Sequence, residues 1–479
     1  MKISILISYL SIIIFLIINV ATGPGCANII PPQGGPRDTI PPVLLKSDPG
    51  DSARNFKGRT ITFTFDEFVD VQNVQENMLV SPLPKITPII DYKLKIVTLK
   101  IKDTLEANTT YHFDFGDAVK DYTEGNPIKD FTYTFSTGRY LDSLSLQGKV
   151  ILAETGAVDS TLIVILHTSN DDSAVINEKP RYMAKLDGEG NFQFRNLPPK
   201  TYSIYALKDD GGTKRYLNSK QQFAFADKPV TPQIKSDSII LYAFSIKAET
   251  TATSTTPVTT QGPRNKIQGN NANEKRLKYQ TNLTNNSQDL QNDLIITFEQ
   301  PLKQFDSSRI QFFTDTLFNI VTTYKIQKDS NNLIFHLVNE WKENTLYHLV
   351  LDKNFAEDSS GKKLLKTDTL TFKTKKLSDY GSLKLKIRNL DIARNPVLIF
   401  VTGEVIYKSF PMKSIDFFQP MFAPGDYEIR ILFDDNKNGK WDPGQFFSKH
   451  KQPEIVKPIE RKITVKPGWQ NEFEIQSPL

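Results

Sequence analysis

TYHFDF, Thr110 to Phe115, places Tyr111, Phe113 and Phe115 at every second position, with His112 and Asp114 between them. Successive side chains of a strand point to opposite faces, so this pattern gives one aromatic face and one polar face. The helical period would scatter the three rings. Downstream, FTYTFSTG (Phe131–Gly138) alternates aromatics with Thr in the same way, and upstream ITFTF (Ile61–Phe65) does so again. The chain holds 31 Phe and 17 Tyr, a bias toward residues that suit a half-buried pleated surface. Asp187-Gly188, Glu189-Gly190 and Pro424-Gly425 are turn signals between such runs. The expectation is an all-β protein of tandem β-sandwiches.

The stretch is also written twice. LEANTTYHFDF (Leu105–Phe115) matches WKENTLYHLVL (Trp341–Leu351), and ITFTFDEFVDV (Ile61–Val71) matches IITFEQPLKQF (Ile295–Phe305). A second kind of segment follows each copy: NLPPKTYSIYALKDDGGTKRYLNSKQQFAF (Asn196–Phe225) matches FAPGDYEIRILFDDNKNGKWDPGQFF (Phe422–Phe447). The order is therefore A–B–A–B. The expected modules are A1 at 41–138, B1 at 139–246, A2 at 276–377 and B2 at 378–479. Residues 247–275, rich in Thr, Asn, Gln and Pro, read as a flexible linker because they lack apolar surface to offset ordering entropy. A chain of 479 residues exceeds a single β-domain and suits several.

The N-terminus speaks to location. Lys2 precedes an uncharged apolar run, Ile3 to Val20, then ATGPGC ending at Cys26, the sole cysteine. No internal disulfide is possible. The segment 1–25 resembles a bacterial lipoprotein signal peptide, which implies cleavage before Cys26 and a lipid on that residue. Residues 26–40 then form a Pro- and Gly-rich tether. The formal charge is only +5, and no Lys/Arg block tracks nucleic acid, so nucleic-acid binding is set aside.

Module A1 resembles the bacterial Ig-like domains named after the S-layer protein SbsA, through DTIPPVLLKSDPGDSARNF, ITFTFDEFVDV and LEANTTYHFDFGDAVKDYTEGNPIKDFTYTFSTG. Module A2 is a degenerate copy without the Glu-Gly-Asn triplet. The B modules resemble carboxypeptidase-regulatory-like, or transthyretin-like, β-sandwiches, through LDGEGNFQFRNLPPKTYSIYAL. The whole order is similar to a group of Bacteroidota lipoproteins. In that group an acidic cluster after the lipidated Cys marks surface export. None follows Cys26, which implies an outer-membrane, lipid-anchored and periplasm-facing protein. The resemblance implies spacers and binding modules, not a reaction.

Residues for chemistry are few. Cys26 is committed to lipid, and neither Gly-x-Ser-x-Gly nor His-Glu-x-x-His occurs. His112 and His348 hold the same place in both A copies, on the outward phase of a strand, and read as solvated. His336 reads as a tolerated strand residue, and His167 and His450 have no acidic partner in sequence. Asp114, Asp117, Asp121 and Glu124 crowd one loop and read as side-chain-to-backbone turns. The chain is expected not to be an enzyme.

One loop suggests an ion. In DDNKNGKWDPG (Asp434–Gly444), Asp434, Asn436, Asn438, the backbone of Lys440, and Asp442 fall at the alternating places by which a loop offers oxygens to calcium, with Gly439 at the turn. Gln445 stands where a twelfth-position Glu is usual, and the first copy has Asp209, Gly211, Thr213 and Leu217 at the equivalent places. The alternative is an Asx-rich turn. The function expected is a structural or protein-interaction scaffold with an envelope protein as partner. The alternative is a glycan-binding lipoprotein using Trp441, Tyr427 and Trp469 on one open face.

Overall fold

The computed structural model describes residues 37–235, 237–246 and 276–478. The segment 1–25, Cys26 with residues 27–36 of the tether, and the linker 247–275 lie outside the described residues. The chain divides into two compact units, Met1–Leu141 and Asp142–Leu479. Each is taken by itself.

Among its described residues the first unit holds nine strands: β1 (Leu44–Asp48), β2 (Thr60–Phe65), β3 (Val69–Val71), β4 (Leu79–Ser81), β5 (Ile89–Lys93), β6 (Ile96–Lys100), β7 (Thr110–Asp114), β8 (Val119–Asp121) and β9 (Thr132–Ser136). One sheet runs β1-β2-β6-β5, a second runs β4-β7-β9, and β3 pairs with β8. The aromatic faces meet inside, as the alternation requires. Tyr111, Phe113 and Phe115 are buried, while His112 and Asp114 are only half-buried. Phe63 of β2 stands edge-on to Phe115, Phe131 and Tyr133 at 5.5, 5.3 and 5.2 Å, the geometry favoured by ring quadrupoles.

The second unit contains the other three sheet pairs. Around A2, Tyr279–Thr281, Leu294–Phe298, Ile334–Val338 and Lys325–Lys328 make a four-stranded sheet in the order of β1-β2-β6-β5. Leu302–Phe305 pairs with Ala356–Asp358 as β3 does with β8. The repeat extends to single hydrogen bonds. Thr109 N–H donates to Thr137 Oγ1 at 2.9 Å, and Thr345 N–H donates to Thr374 Oγ1 at 2.9 Å. Asn108 and Asn344, one residue earlier, both sit in the left-handed region (φ 49° and 51°) that Asn tolerates.

B1 and B2 also share one topology. A three-stranded sheet pairs the first strand, Leu144–Leu152 or Gly381–Arg388, in parallel with the last, Ser238–Ala243 or Gln470–Gln476. A four-stranded antiparallel sheet packs over it: Tyr182–Lys185, Leu162–His167, Ser203–Lys208 and Phe223–Phe225 in B1, and Val405–Pro411, Pro396–Thr402, Gly425–Phe433 and Ile455–Val465 in B2.

His348 departs from the solvated reading. It is 8% exposed, with Nδ1 3.0 Å from Thr371 Oγ1 and its ring stacked on Phe318 at 4.4 Å. The hairpin Ile310–Ile320, absent in this form from A1, folds Phe318 over it. His167 is buried too, edge-on to Tyr205, and its Nε2 has no hydrogen-bond partner. Burial pushes its pKa down to about 4. The folded state thus favours neutral imidazole. The associated stability is present above the ordinary value near 6.5 and is lost as pH falls toward 4. His167→Leu should flatten the loss between those pH values, by about 3 kcal/mol at the acid end, in urea titrations of the soluble chain. An unchanged acid slope would place that sensitivity elsewhere.

Candidate functional site

The strand Gly425–Phe433 delivers Asp434 to its end, where the carboxylate is 2% exposed. Asp434 Oδ1 accepts the Lys437 N–H at 2.7 Å, and Oδ2 accepts the Gly439 N–H at 2.7 Å. Lys437 and Gly439 both have positive φ, 63° and 75°, so the chain turns tightly around this one carboxylate. Asn436 Oδ1 accepts the Asn438 N–H at 3.0 Å, and Asn438 Oδ1 accepts the Lys440 N–H at 2.7 Å. Both Asn amides donate to Asp442 Oδ2, that of Asn438 at 2.7 Å. The five residues named from the spacing do share one loop.

A sixth group is invisible in that spacing. Glu454, 2% exposed, accepts the Asp435 N–H at 2.9 Å through Oε1 and the Asp442 N–H at 3.0 Å through Oε2. Its carbonyl accepts Trp441 Nε1–H at 2.7 Å. Gln445, at the twelfth place of the spacing, pairs through its backbone with Lys451 in a turn. Burial raises its pKa, nearby Asp442 and Asp434 add to the rise, and the two backbone donors oppose it. The only hint in sequence is a Glu just before the apolar run Ile455–Val456. The hairpin brings it under the loop.

Among the described residues, no three His, Cys, Asp or Glu side chains form a group that could hold a metal ion. The carboxylate oxygens of Asp434 and Glu454 are turned to backbone N–H groups. A cation would need the Asn436 and Asn438 amides to rotate, presenting Oδ1 beside Asp442. The first copy keeps only the central carboxylate: Asp209 Oδ1 accepts the Lys214 N–H at 2.9 Å.

The acidic loop of A1 works in the same way. Asp121, 2% exposed, accepts the N–H groups of Glu124, Gly125 and Asn126. Burial alone would raise its pKa, but those donors outweigh burial and hold it below the usual range. Asp358 repeats this in A2, accepting Ser360 N–H and Lys362 N–H at 2.8 and 2.9 Å.

Past the Asp434 loop, the chain forms an arm that enters B1. Phe446 is 5% exposed and lies 5.5 Å from Tyr205 and 4.9 Å from Phe225. Phe447 meets Tyr216 at 5.7 Å. His450 Nε2 lies 2.7 Å from Asp172 Oδ2, an acidic partner that lies far off in sequence. Gln452 Nε2 donates to Asp227 Oδ1 at 2.7 Å, and Val456 N–H donates to the Ala153 carbonyl at 2.9 Å. Gly444 leaves room for Phe244: a Cβ there would meet that ring at 2.7 Å. B1 and B2 thus share a core. A2 is tied in as well, with Tyr380 OH accepting the Leu290 N–H at 2.8 Å and Lys408 Nζ donating to Gln291 Oε1 at 2.8 Å.

Trp441, Tyr427 and Trp469 do not form an open aromatic face. Tyr427 is 3% exposed, Trp441 is packed beside Val456, and Trp469 alone is open at 64%. Among the described residues no helix is long and apolar enough to cross a membrane.

A family described as "Bacterial Ig-like domain" matches residues 38–137. No curated protein matches the chain. Among solved structures, the TIE protein of Bacillus anthracis is 10% identical, with 93% of this chain and 76% of that one covered, at a TM-score of 0.17. The major pilin subunit BcpA of Bacillus cereus is 9% identical, with 70% and 99% covered, at 0.17. The N-terminal part of the bacterial S-layer protein SbsC is 14% identical, with 43% and 44% covered, at 0.16. Likeness at this level says nothing of what this chain does.

Phe446→Asp buries a charge in the shared aromatic core and should release B1 from B2. Small-angle scattering should then give a larger radius of gyration with unchanged far-ultraviolet circular dichroism. An unchanged radius would show that the arm does not hold the joint.

Proposed function

We propose that the chain is a non-catalytic scaffold of the bacterial envelope, tethered to the outer membrane by a lipid on Cys26 and facing the periplasm, where it holds an envelope protein at a set distance. One observation carries this reading. The modules of the second unit are not separate beads: B1 and B2 are joined through the Phe446 arm, and A2 is bonded to B2. A spacer needs that stiffness, because independent domains on flexible linkers fix no distance. The Ig-like match over 38–137 agrees with such a role, and the exposed edge strands of its sandwiches can accept a partner strand.

Cys26→Ala should move the protein from the membrane fraction to the soluble fraction of cells. Crosslinking of the lipidated form in intact cells should recover one dominant envelope protein. Recovery of glycan or peptidoglycan fragments alone would replace the scaffold with a carbohydrate-binding role.

The Asp434 loop, on this reading, is a structural brace for the arm, with calcium as its ion. Asp434 and Asp442 would supply charge, and Asn436, Asn438 and the backbone of Lys440 the remaining oxygens. Affinity would fall on the order of 10⁻⁴–10⁻³ M. Burial and the nearby Asp442 and Asp434 raise the pKa of Glu454 beside the loop, and a bound cation would oppose that rise. Millimolar calcium should therefore raise the melting temperature by a few degrees at pH 7.5, by less at pH 5, and not at all in Asp434→Ala. A gain that persists in that variant would locate calcium elsewhere.

A further inference from the structure

The turn between β5 and β6 breaks a local rule. It has two residues, Leu94 and Lys95, and Leu94 takes φ 56° while 62% exposed. Gly or Asn ordinarily fills such a place: Gly has no Cβ, Asn has a short polar side chain that can bond locally, and other side chains pay about 1–2 kcal/mol. Here a large apolar side chain sits at the tip, in water, between Lys93 and Lys95. Around it lie Phe68 (51% exposed), Tyr92 (47%), Ile96 (42%) and Tyr122 (70%). These are neighbours: Leu94 carbonyl accepts the Val69 N–H at 3.0 Å, and Phe68 carbonyl accepts the Tyr122 N–H at 3.0 Å. Phe68, Tyr92, Leu94 and Ile96 line one shallow concavity of about 680 Å³.

The A2 copy is the control. Its matching hydrogen bonds are Leu302 N–H to the Asn332 carbonyl and Ser359 N–H to the Pro301 carbonyl, each 2.9 Å. So Asn332 stands for Leu94, Pro301 for Phe68 and Ser359 for Tyr122. Asn332 has φ 52° in the longer, five-residue connection between Lys325–Lys328 and Ile334–Val338. The fold does not require the three apolar groups, and only A1 has them.

The chain also comes into A1 beside this patch. Arg37 donates to the Glu124 carbonyl at 3.2 Å, Asn126 Nδ2 donates to the Asp38 carbonyl at 3.1 Å, and Val43 N–H donates to Asp66 Oδ1 at 2.8 Å. Those partners belong to the loops that carry Tyr122 and Phe68. Ten residues lie between Cys26 and Arg37, and the eleven chain steps reach at most about 40 Å.

We infer that Phe68, Leu94 and Tyr122 form a membrane-contact tip that dips into the headgroup and acyl boundary of the leaflet holding the lipid. The inference rests on the lipid-anchor reading for its geometry. Rings and an aliphatic side chain at loop tips suit that interface, and lysines beside them can reach back to water. The anchor keeps the tip at high local concentration, so a weak contact suffices. The rim is mixed: Lys93, Lys95 and Asp91 line the concavity, and Asp70 and Lys120 pair on the adjoining strands β3 and β8. The contact is therefore apolar rather than a search for anionic lipid.

The test uses the unlipidated chain from Ala27 and sucrose-loaded vesicles of phosphatidylethanolamine with a minor share of phosphatidylglycerol. The chain should co-sediment, and raised salt should not release it. The double variant Phe68→Ser, Leu94→Ser changes only exposed side chains and should bind about tenfold less or weaker. Absence of wild-type binding, equal binding by the variant, or release by salt overturns the proposal. If lipid alone binds nothing while the same variant loses its crosslink to an envelope protein, the tip is a protein dock and the proposal falls. The anchor is judged separately by Cys26→Ala fractionation, so vesicle binding with Cys26 unlipidated in cells would sink the anchor and leave the tip.

Discussion

Phe446 lies in a core that belongs to two modules at once, and the second unit depends on it. An aromatic ring removed from water by Tyr205, Phe225 and Phe244 stabilises only while both sandwiches keep their places. The surrounding polar contacts, His450 with Asp172 and Gln452 with Asp227, are more exposed and add direction rather than strength. A joint of this kind converts two sandwiches and their connections into one body.

The arm is positioned by buried carboxylates. A turning loop leaves several N–H groups pointing inward, and each costs free energy if left unpaired in the interior. Asp434 and Glu454 collect five such donors between them, with Asp434 held at the end of its strand. Asp121 and Asp358 do the same at the matching loop of each A module, and Asp209 in B1. One device thus recurs in all four modules: a single acid at a strand end that gathers the next turn. It explains why these loops are rich in Asp without requiring that each bind an ion.

The sandwiches were legible because the period of two needs no knowledge of partners: Tyr111, Phe113 and Phe115 had to share a face whatever lay opposite. The polar residues of the Asp434 loop could be grouped for the same reason, since Asp434 to Asp442 is a local spacing. Glu454 was not, because its place depends on the hairpin that returns the chain twenty residues later. The Phe446 arm was not legible either. In QFFSKH, two adjacent aromatics read as ordinary strand or loop, and their socket is built from residues 205–244. His348 was misread as solvated because its cover, Phe318, comes from a hairpin peculiar to the second copy.

Duplication supplies a control that a single domain lacks. Features present in both copies are those the fold demands: the Thr137 and Thr374 hydroxyls, the left-handed Asn108 and Asn344, and the buried Asp121 and Asp358. Features present in one copy must be explained by something that differs between the copies. For the A modules, that difference is nearness to the tether, and Leu94 replaces Asn332 on the copy that receives it. For the B modules, it is which loop docks and which one receives. Asp209 and Asp434 play the same central part, yet only the longer, Asn-rich loop of B2 extends into the Phe446 arm. The extra polar side chains of that loop stand at the base of the arm, where a turn must be rigid if a distant aromatic is to be held in another module's core.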